Sequence, residues 1–142
     1  MKKIKLFVSL SLLVLACSDD DEVRHNPYLI DQKFSYQLHL SLPEYNQLNF
    51  DGNHIVLPQL GLNGVVVFNI NGSMFSAFEL SDPNHALRDC SRLAVSGTEA
   101  SCSCDDGNVY EIITGQPVEG DGIYTMKRYN INRAGDVLTI SN

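Results

Sequence analysis

The stretch that decides the fold is Gly64 to Leu80, which reads GVVVFNINGSMFSAFEL. Two apolar runs flank the dipeptide Asn71-Gly72. Asparagine and glycine tolerate positive φ, so this dipeptide suits the tight turn of a β-hairpin. The stretch therefore predicts two antiparallel strands joined at Asn71-Gly72. The turn explains the dipeptide better than glycosylation of the sequon Asn71-Gly72-Ser73 does.

Further short strands are predicted on both sides of this hairpin. In FSYQLHL, residues 34–40, every second residue is apolar, which is the period of a half-buried strand. The other candidates are HIVLP, RLAV, VYEIIT, GIYTMKRYNI and DVLTI, the last two forming a hairpin through NRAG. Many short strands separated by turn residues, without a confident amphipathic helix between them, predict an all-β antiparallel sandwich or small barrel. We expect this domain to occupy residues 33–142.

The first residues have the composition of an export signal. MKKIK is basic, and LFVSLSLLVL is an apolar run too short to span a bilayer. The following LVLAC resembles the lipobox of bacterial lipoproteins, which implies that residues 1–16 are removed and that Cys17 is lipidated. Ordinary secretion, with Cys17 in an N-terminal tail, is the alternative. The lipobox implies a lipid-anchored protein of the cell envelope, expected at the outer membrane, on its periplasmic face or at the cell surface.

Charge patterning predicts an acidic tether over residues 17–32. The run SDDDE directly follows Cys17 and cannot bury apolar surface. It resembles the sorting signal of Bacteroidetes surface lipoproteins, and a plain hydrophilic spacer is the alternative. Without residues 1–16 the chain keeps seven of its ten basic residues against 17 acidic ones, a net charge of −10. Such a balance disfavours nucleic acid as a partner.

From about Leu60 onward, the order of motifs resembles a Rieske domain. The motifs are FSAFELSDPNH, then Cys90, then SCSCDDGNVYEIITGQPVEGDGIYTMKRYNI and GDVLTIS. The resemblance implies an antiparallel β fold in which two loops hold a [2Fe-2S] cluster. In that family two cysteines bind one iron and two histidines bind the other.

Placing this sequence on the family pattern shows that most ligand positions are substituted. Six residues occupy or adjoin these positions: Asp82, Asn84, His85, Cys102, Asp105 and Asp106. Only Cys102 matches a ligand, because Asp82 replaces the first cysteine, Asn84 its histidine, and Asp105 or Asp106 the second histidine. His85 lies one place late. We therefore expect no intact [2Fe-2S] site, although the resemblance implies that cofactor.

The three cysteines of the domain permit one intramolecular disulfide in an oxidising envelope. In respiratory Rieske proteins a disulfide joins the two loops, and by that pattern Cys90 would pair with Cys104. Pairing of Cys90 with Cys102 is the alternative. His85 and the three cysteines also form a Cys3His set suited to zinc. A cluster ligated by Asp82, His85, Cys102 and a further aspartate is another hypothesis.

These observations predict a Rieske-like domain of an envelope lipoprotein that is not an enzyme and acts as a binding or accessory module. Its partners would be the membrane, through the lipid, and another envelope protein. One alternative is a Rieske [2Fe-2S] electron-transfer protein with unusual ligands. The other is a structural surface lipoprotein held together by its disulfide. No Gly-x-Ser-x-Gly motif or glycine-rich phosphate loop points to catalysis.

Overall fold

The computed structural model describes residues 26–142, and in that range the chain forms ten strands and two short 3-10 helices. The strands are β1 (Ser35–His39), β2 (His54–Leu57), β3 (Val65–Asn69), β4 (Phe75–Glu79), β5 (Ala94–Ser96), β6 (Glu99–Ser101), β7 (Val109–Glu111), β8 (Pro117–Glu119), β9 (Asn130–Ala134) and β10 (Val137–Ser141). The 3-10 helices are Pro43–Asn49 and Asp89–Ser91. The predicted signal and Cys17 lie outside the described residues, as does the tether up to residue 25.

The strands form three antiparallel sheets within the described part of the chain, in the orders β1-β10-β9, β2-β3-β4 and β5-β6-β7-β8. The predicted all-β antiparallel class is confirmed. Over residues 26–142, no helix is long and apolar enough to cross a membrane.

The hairpin predicted from residues 64–80 is β3 and β4. Val65 pairs with Glu79 and Asn69 with Phe75, and Gly72 in the connecting turn has φ 75°. Every residue of β3 is buried because the strand lies between two hydrophobic cores. Alternate side chains of a strand point to opposite faces. The unbroken VVVF run thus supplies both cores.

Each core takes one face of the hairpin. The first core contains these buried residues: Leu38, Leu40, Leu48, Leu57, Val65, Val67, Ala77, Tyr129, Leu138 and Ile140. The second contains Val66, Phe68, Phe78, Leu80, Leu93, Ala100, Tyr110, Ile112 and Met126. The second core supports β6 and β7, whose connection forms part of the site described below.

A buried carboxylate, that of Glu79, lies at the end of the β3–β4 hairpin opposite its turn. Glu79 is fully buried and accepts four hydrogen bonds, from the backbone N–H groups of Leu62, Asn63 and Ser81 and from the hydroxyl of Tyr129. A Cβ at Gly61 would lie 2.2 Å from Glu79 Oε2. Burial and the bond to Glu79 raise the pKa of Tyr129. This network fixes the 61–63 segment against β4.

The segment 26–32, which the sequence assigns to the tether, lies against the domain. Leu29 is buried, Asn26 Nδ2 donates to the carbonyl of Pro83 over 2.8 Å, and Lys127 forms an ion pair with Asp31. The sequence predicts an acidic spacer here. The residues that follow the Asp/Glu run include apolar side chains, and the domain buries one of them, Leu29.

The C-terminal hairpin differs in detail from the sequence prediction. Ala134 pairs with Val137, so its turn is Gly135-Asp136 and not the whole of NRAG. The predicted strand over residues 122–131 begins only at Asn130. Before it, residues 127–129 run beside β4, where the Glu79 N–H donates to the Lys127 carbonyl. The 3-10 helix Pro43–Asn49 was not predicted, and it covers the first core with Leu48.

Candidate functional site

Two loops meet at one end of the second core. The first loop, residues 81–91, follows β4, and the second loop, residues 102–108, connects β6 to β7. Cys90 and Cys104 join them in a disulfide with a Cα–Cα distance of 5.0 Å. This is the pairing that the resemblance implies, and the alternative pairing of Cys90 with Cys102 does not occur. The two loops are thus covalently linked to each other.

Four side chains of metal-ligand type converge between these loops. They are Asp82, His85, Cys102 and Asp106, and one donor atom from each lies within 4.8 Å of the donor atoms of the others. Asp82 is fully buried, whereas the other three are partly exposed. The structure thus brings together four of the six predicted positions, two from each loop.

Asp82 is held by neutral donors. Its Oδ1 accepts hydrogen bonds from the Asn84 N–H at 2.7 Å and the Tyr110 hydroxyl at 2.8 Å. Its Oδ2 accepts a longer bond of 3.3 Å from Asn108 Nδ2. Burial raises the pKa of Tyr110, so its hydroxyl remains a donor to the carboxylate. Across residues 26–142, no basic side chain forms an ion pair with Asp82.

Asp106 is the second carboxylate of the group. Its Oδ2 lies 2.5 Å from His85 Nε2 and also accepts a hydrogen bond from Asn108 Nδ2. Burial acts to raise the pKa of Asp106, but the bond to His85 and bonds from Asn108 and Cys102 outweigh it and hold that pKa below its ordinary value. One amide NH2 group, that of Asn108, therefore bridges both carboxylates.

Cys102 is the free thiol among residues 26–142. Its Sγ lies 3.7 Å from the Cys90 carbonyl oxygen, and it accepts a 3.4 Å hydrogen bond from the Cys104 N–H. Burial, with hydrogen bonding and charge repulsion from Asp82, raises the pKa of Cys102 to about 12. The thiol is therefore protonated at neutral pH, and a cation beside it would favour the thiolate.

Asn84 is not available as a ligand, because its side-chain amide is fully bonded. Its Nδ2 donates to the Tyr110 hydroxyl and the Tyr124 carbonyl, at 2.8 and 3.0 Å. Its Oδ1 accepts from the N–H groups of Ile123 and Tyr124, at 2.9 and 3.0 Å. A Cβ at Gly122 would lie 2.5 Å from Asn84 Nδ2, so this approach depends on glycine. Asn84 ties the first loop to residues 122–124.

One of the ligand hypotheses is wrong in this structure, and one of two alternative residues does not join the group. The Cys3His zinc set fails because Cys90 and Cys104 are joined to each other and have no thiolate to offer. Asp105, one of the two candidates for the second histidine position, is exposed and stands outside the converging group. Asp106 takes that place instead.

Sequence reasoning missed two residues of the site. Tyr110 belongs to the predicted strand VYEIIT and Asn108 directly precedes it. Both are buried, and both donate hydrogen bonds to Asp82. A signal was present, since a tyrosine and an asparagine beside a buried strand need polar partners. The identity of those partners depends on the first loop, which lies far away in sequence.

The residues present do not fit a [2Fe-2S] cluster. Such clusters are held by thiolates, with imidazoles replacing two of them in the Rieske type. The described loops offer one free thiol and one histidine, while the two carboxylates are hard ligands that suit iron-sulfur clusters poorly. The side-chain amide of Asn84 is hydrogen-bonded to the backbone of residues 122–124 and is not free to bind iron.

A surface pocket of about 360 Å³ opens beside the group. His85 and Asp106 form its polar wall, and Tyr28, Ile123 and Tyr124 form its apolar wall. Tyr28 and Ile123 are 41% and 74% exposed. His85 and Asp106 are thus reachable from solvent through this pocket, whereas Asp82 and Cys102 do not line it.

No family model matches this chain, and no curated protein matches it. Among solved structures, it is similar to a complex of reduced oxygenase and oxidised ferredoxin in carbazole 1,9a-dioxygenase, with 15% identity and a TM-score of 0.46 over 64% of this chain and 82% of the other. It is also similar to Sphingomonas yanoikuyae B1 ferredoxin, with 17% identity and a TM-score of 0.45 over 66% and 88% of the two chains. A third, described as an NADH-dependent nitrite reductase small subunit from Mycobacterium tuberculosis, has 15% identity and a TM-score of 0.45 over 79% and 97%.

Proposed function

We propose that the protein is a Rieske-like binding or accessory module, not an enzyme, that carries no [2Fe-2S] cluster. The observation that carries this proposal is the bonding of Asn84. Its amide makes four hydrogen bonds at the position where the Rieske pattern has a histidine ligand. The first loop is therefore built around an amide in place of an imidazole-bound iron.

The location is part of the same proposal. The lipobox-like LVLAC and the acidic run after it support export and anchoring through a lipid on Cys17. The exposed apolar side chains of Tyr28 and Ile123 beside the pocket favour another envelope protein as the partner. The protein would act by binding there, without electron transfer.

The test is the iron and acid-labile sulfide content of the full chain purified without oxygen, followed by an attempt to reconstitute a cluster. The proposal expects less than about 0.1 cluster per chain and no visible charge-transfer bands after removal of unbound iron. About two irons and two sulfides per chain, with those bands, would overturn it and favour the electron-transfer alternative.

A further inference from the structure

We propose that Asp82, His85, Cys102 and Asp106 form a mononuclear site for a divalent cation of the zinc type. The inference rests on the part of the proposed function that excludes a [2Fe-2S] cluster from these loops. It deepens that function by naming the ligand of the same site, a single metal ion held by four protein side chains.

The donor types select the metal. Imidazole nitrogen and thiolate sulfur are ligands of zinc, and carboxylate oxygen completes its usual set. Calcium and magnesium prefer oxygen donors alone, so His85 and Cys102 disfavour both. The set of one sulfur, one nitrogen and two oxygens is therefore suited to zinc, or to cobalt as its spectroscopic substitute.

The distances are close to what a tetrahedral ion needs. Metal–ligand bonds of about 2.0–2.3 Å place the ligand atoms roughly 3.3–3.8 Å apart. The four donor atoms lie within 4.8 Å of one another, and His85 Nε2 lies 2.5 Å from Asp106 Oδ2. An ion between them would open the His85–Asp106 contact, and a pair of atoms at the 4.8 Å limit would have to close by about 1.0–1.5 Å. The Asp106 side chain has room to shift because it is half-buried and lines the surface pocket.

A second observation is the shortage of cationic partners for the two carboxylates. Asp82 is fully buried, and the other carboxylate, Asp106, shares with it the amide NH2 group of Asn108. Buried carboxylates are normally paired with cations or bind metals. In residues 26–142, His85 is the one basic side chain that forms an ion pair here.

The architecture also holds the ligands in position. The disulfide between Cys90 and Cys104 fixes the second loop two residues from Cys102, and Asp82 is oriented by Tyr110. Partners that orient metal ligands are a usual part of such sites. Four protein ligands leave no coordination position for a substrate, so this site is a structural one and agrees with a module that is not an enzyme.

The experiment is zinc titration of the full chain, purified without reductant and stripped by a chelator, in competition with a chromophoric zinc indicator. One zinc ion should bind per chain. Asp106→Asn should weaken binding by more than about 100-fold, because even outer-shell changes cost about 10–100-fold. The matched control is Asp105→Asn, which alters the neighbouring exposed carboxylate and should leave affinity within about twofold of wild type.

Cobalt spectra give a second measurement that does not depend on the fold of the aspartate variant. Co²⁺ bound to the unsubstituted chain should show sulfur-to-metal charge transfer in the near ultraviolet, and Cys102→Ser should abolish that band. The proposal is overturned by a cobalt complex without this band, or by equal zinc affinity of Asp105→Asn and Asp106→Asn. A cluster found in the protein as purified would instead refute the proposed function.

Discussion

Removal of the loop-to-loop disulfide should be among the most destabilising changes open to this domain. Cys90 and Cys104 are 14 residues apart in sequence. Closing a loop of this length removes about 3 kcal/mol of chain entropy from the unfolded state. A domain near 120 residues loses about 4 °C of melting temperature per kcal/mol. The double variant Cys90→Ser/Cys104→Ser should therefore melt about 12 °C below the unsubstituted protein.

The assay is thermal unfolding followed by circular dichroism in chelator-containing buffer without reductant. Cys102→Ser is the matched control, because it removes the neighbouring thiol and leaves the disulfide intact. It should shift the midpoint by less than about 4 °C, since Sγ makes two long, weak contacts, with the Cys90 carbonyl and the Cys104 N–H. Reductant should lower the melting temperature of the unsubstituted protein to that of the double variant. Equal losses in the double variant and in Cys102→Ser would refute the reasoning, as would indifference of the unsubstituted protein to reductant.

Three further predictions concern the buried carboxylate, the free thiol and the anchor. Glu79→Gln should lower the free energy of unfolding by about 1–3 kcal/mol. The new amide NH2 group would face N–H or O–H donors that bind a carboxylate oxygen in the unsubstituted protein. Urea unfolding measures this loss, and an unchanged midpoint would contradict the prediction. With its pKa at about 12 instead of 9.0, Cys102 in the metal-free protein should have on the order of 1000-fold less thiolate at pH 8 than an ordinary cysteine. Its alkylation by iodoacetamide, followed by mass spectrometry, should be correspondingly slow and should accelerate with rising pH up to about 12; rapid labelling at pH 8 would show that the thiol is not held in its protonated form. Mass spectrometry of the N-terminal peptide from the native host should find Cys17 acylated and residues 1–16 absent; an unmodified Cys17 would exclude the lipid anchor.

The parts of the fold that the sequence predicts well are those decided locally. The hairpin of β3 and β4 follows from two apolar runs around Asn71-Gly72, and both its strands and its turn lie where the pattern places them. The strand β1 likewise follows from alternation in residues 34–40. In such segments the periodicity and the turn residue are sufficient, because neither depends on a distant part of the chain.

The parts that the sequence does not predict depend on contacts between distant segments. Residues 122–129 have the composition of a strand, but the backbone N–H groups of Ile123 and Tyr124 are bound by Asn84, about 40 residues away. The candidate ligand positions came from a family resemblance. The resemblance did not indicate that Asp105 lies outside the converging group, or that Tyr110 donates a hydrogen bond to Asp82. Those depend on the distance between the loops, which no local pattern encodes.

The four hydrogen bonds of Asn84 also oppose the introduction of a histidine at this position. Changing Asn84 to histidine would remove bonds worth about 2–6 kcal/mol together and would release residues 122–124 from the first loop. The substitution would therefore destabilise the folded domain before any iron could bind. An attempt to engineer a redox centre on this scaffold must therefore first rebuild the segment around Gly122 and only afterwards exchange the ligands.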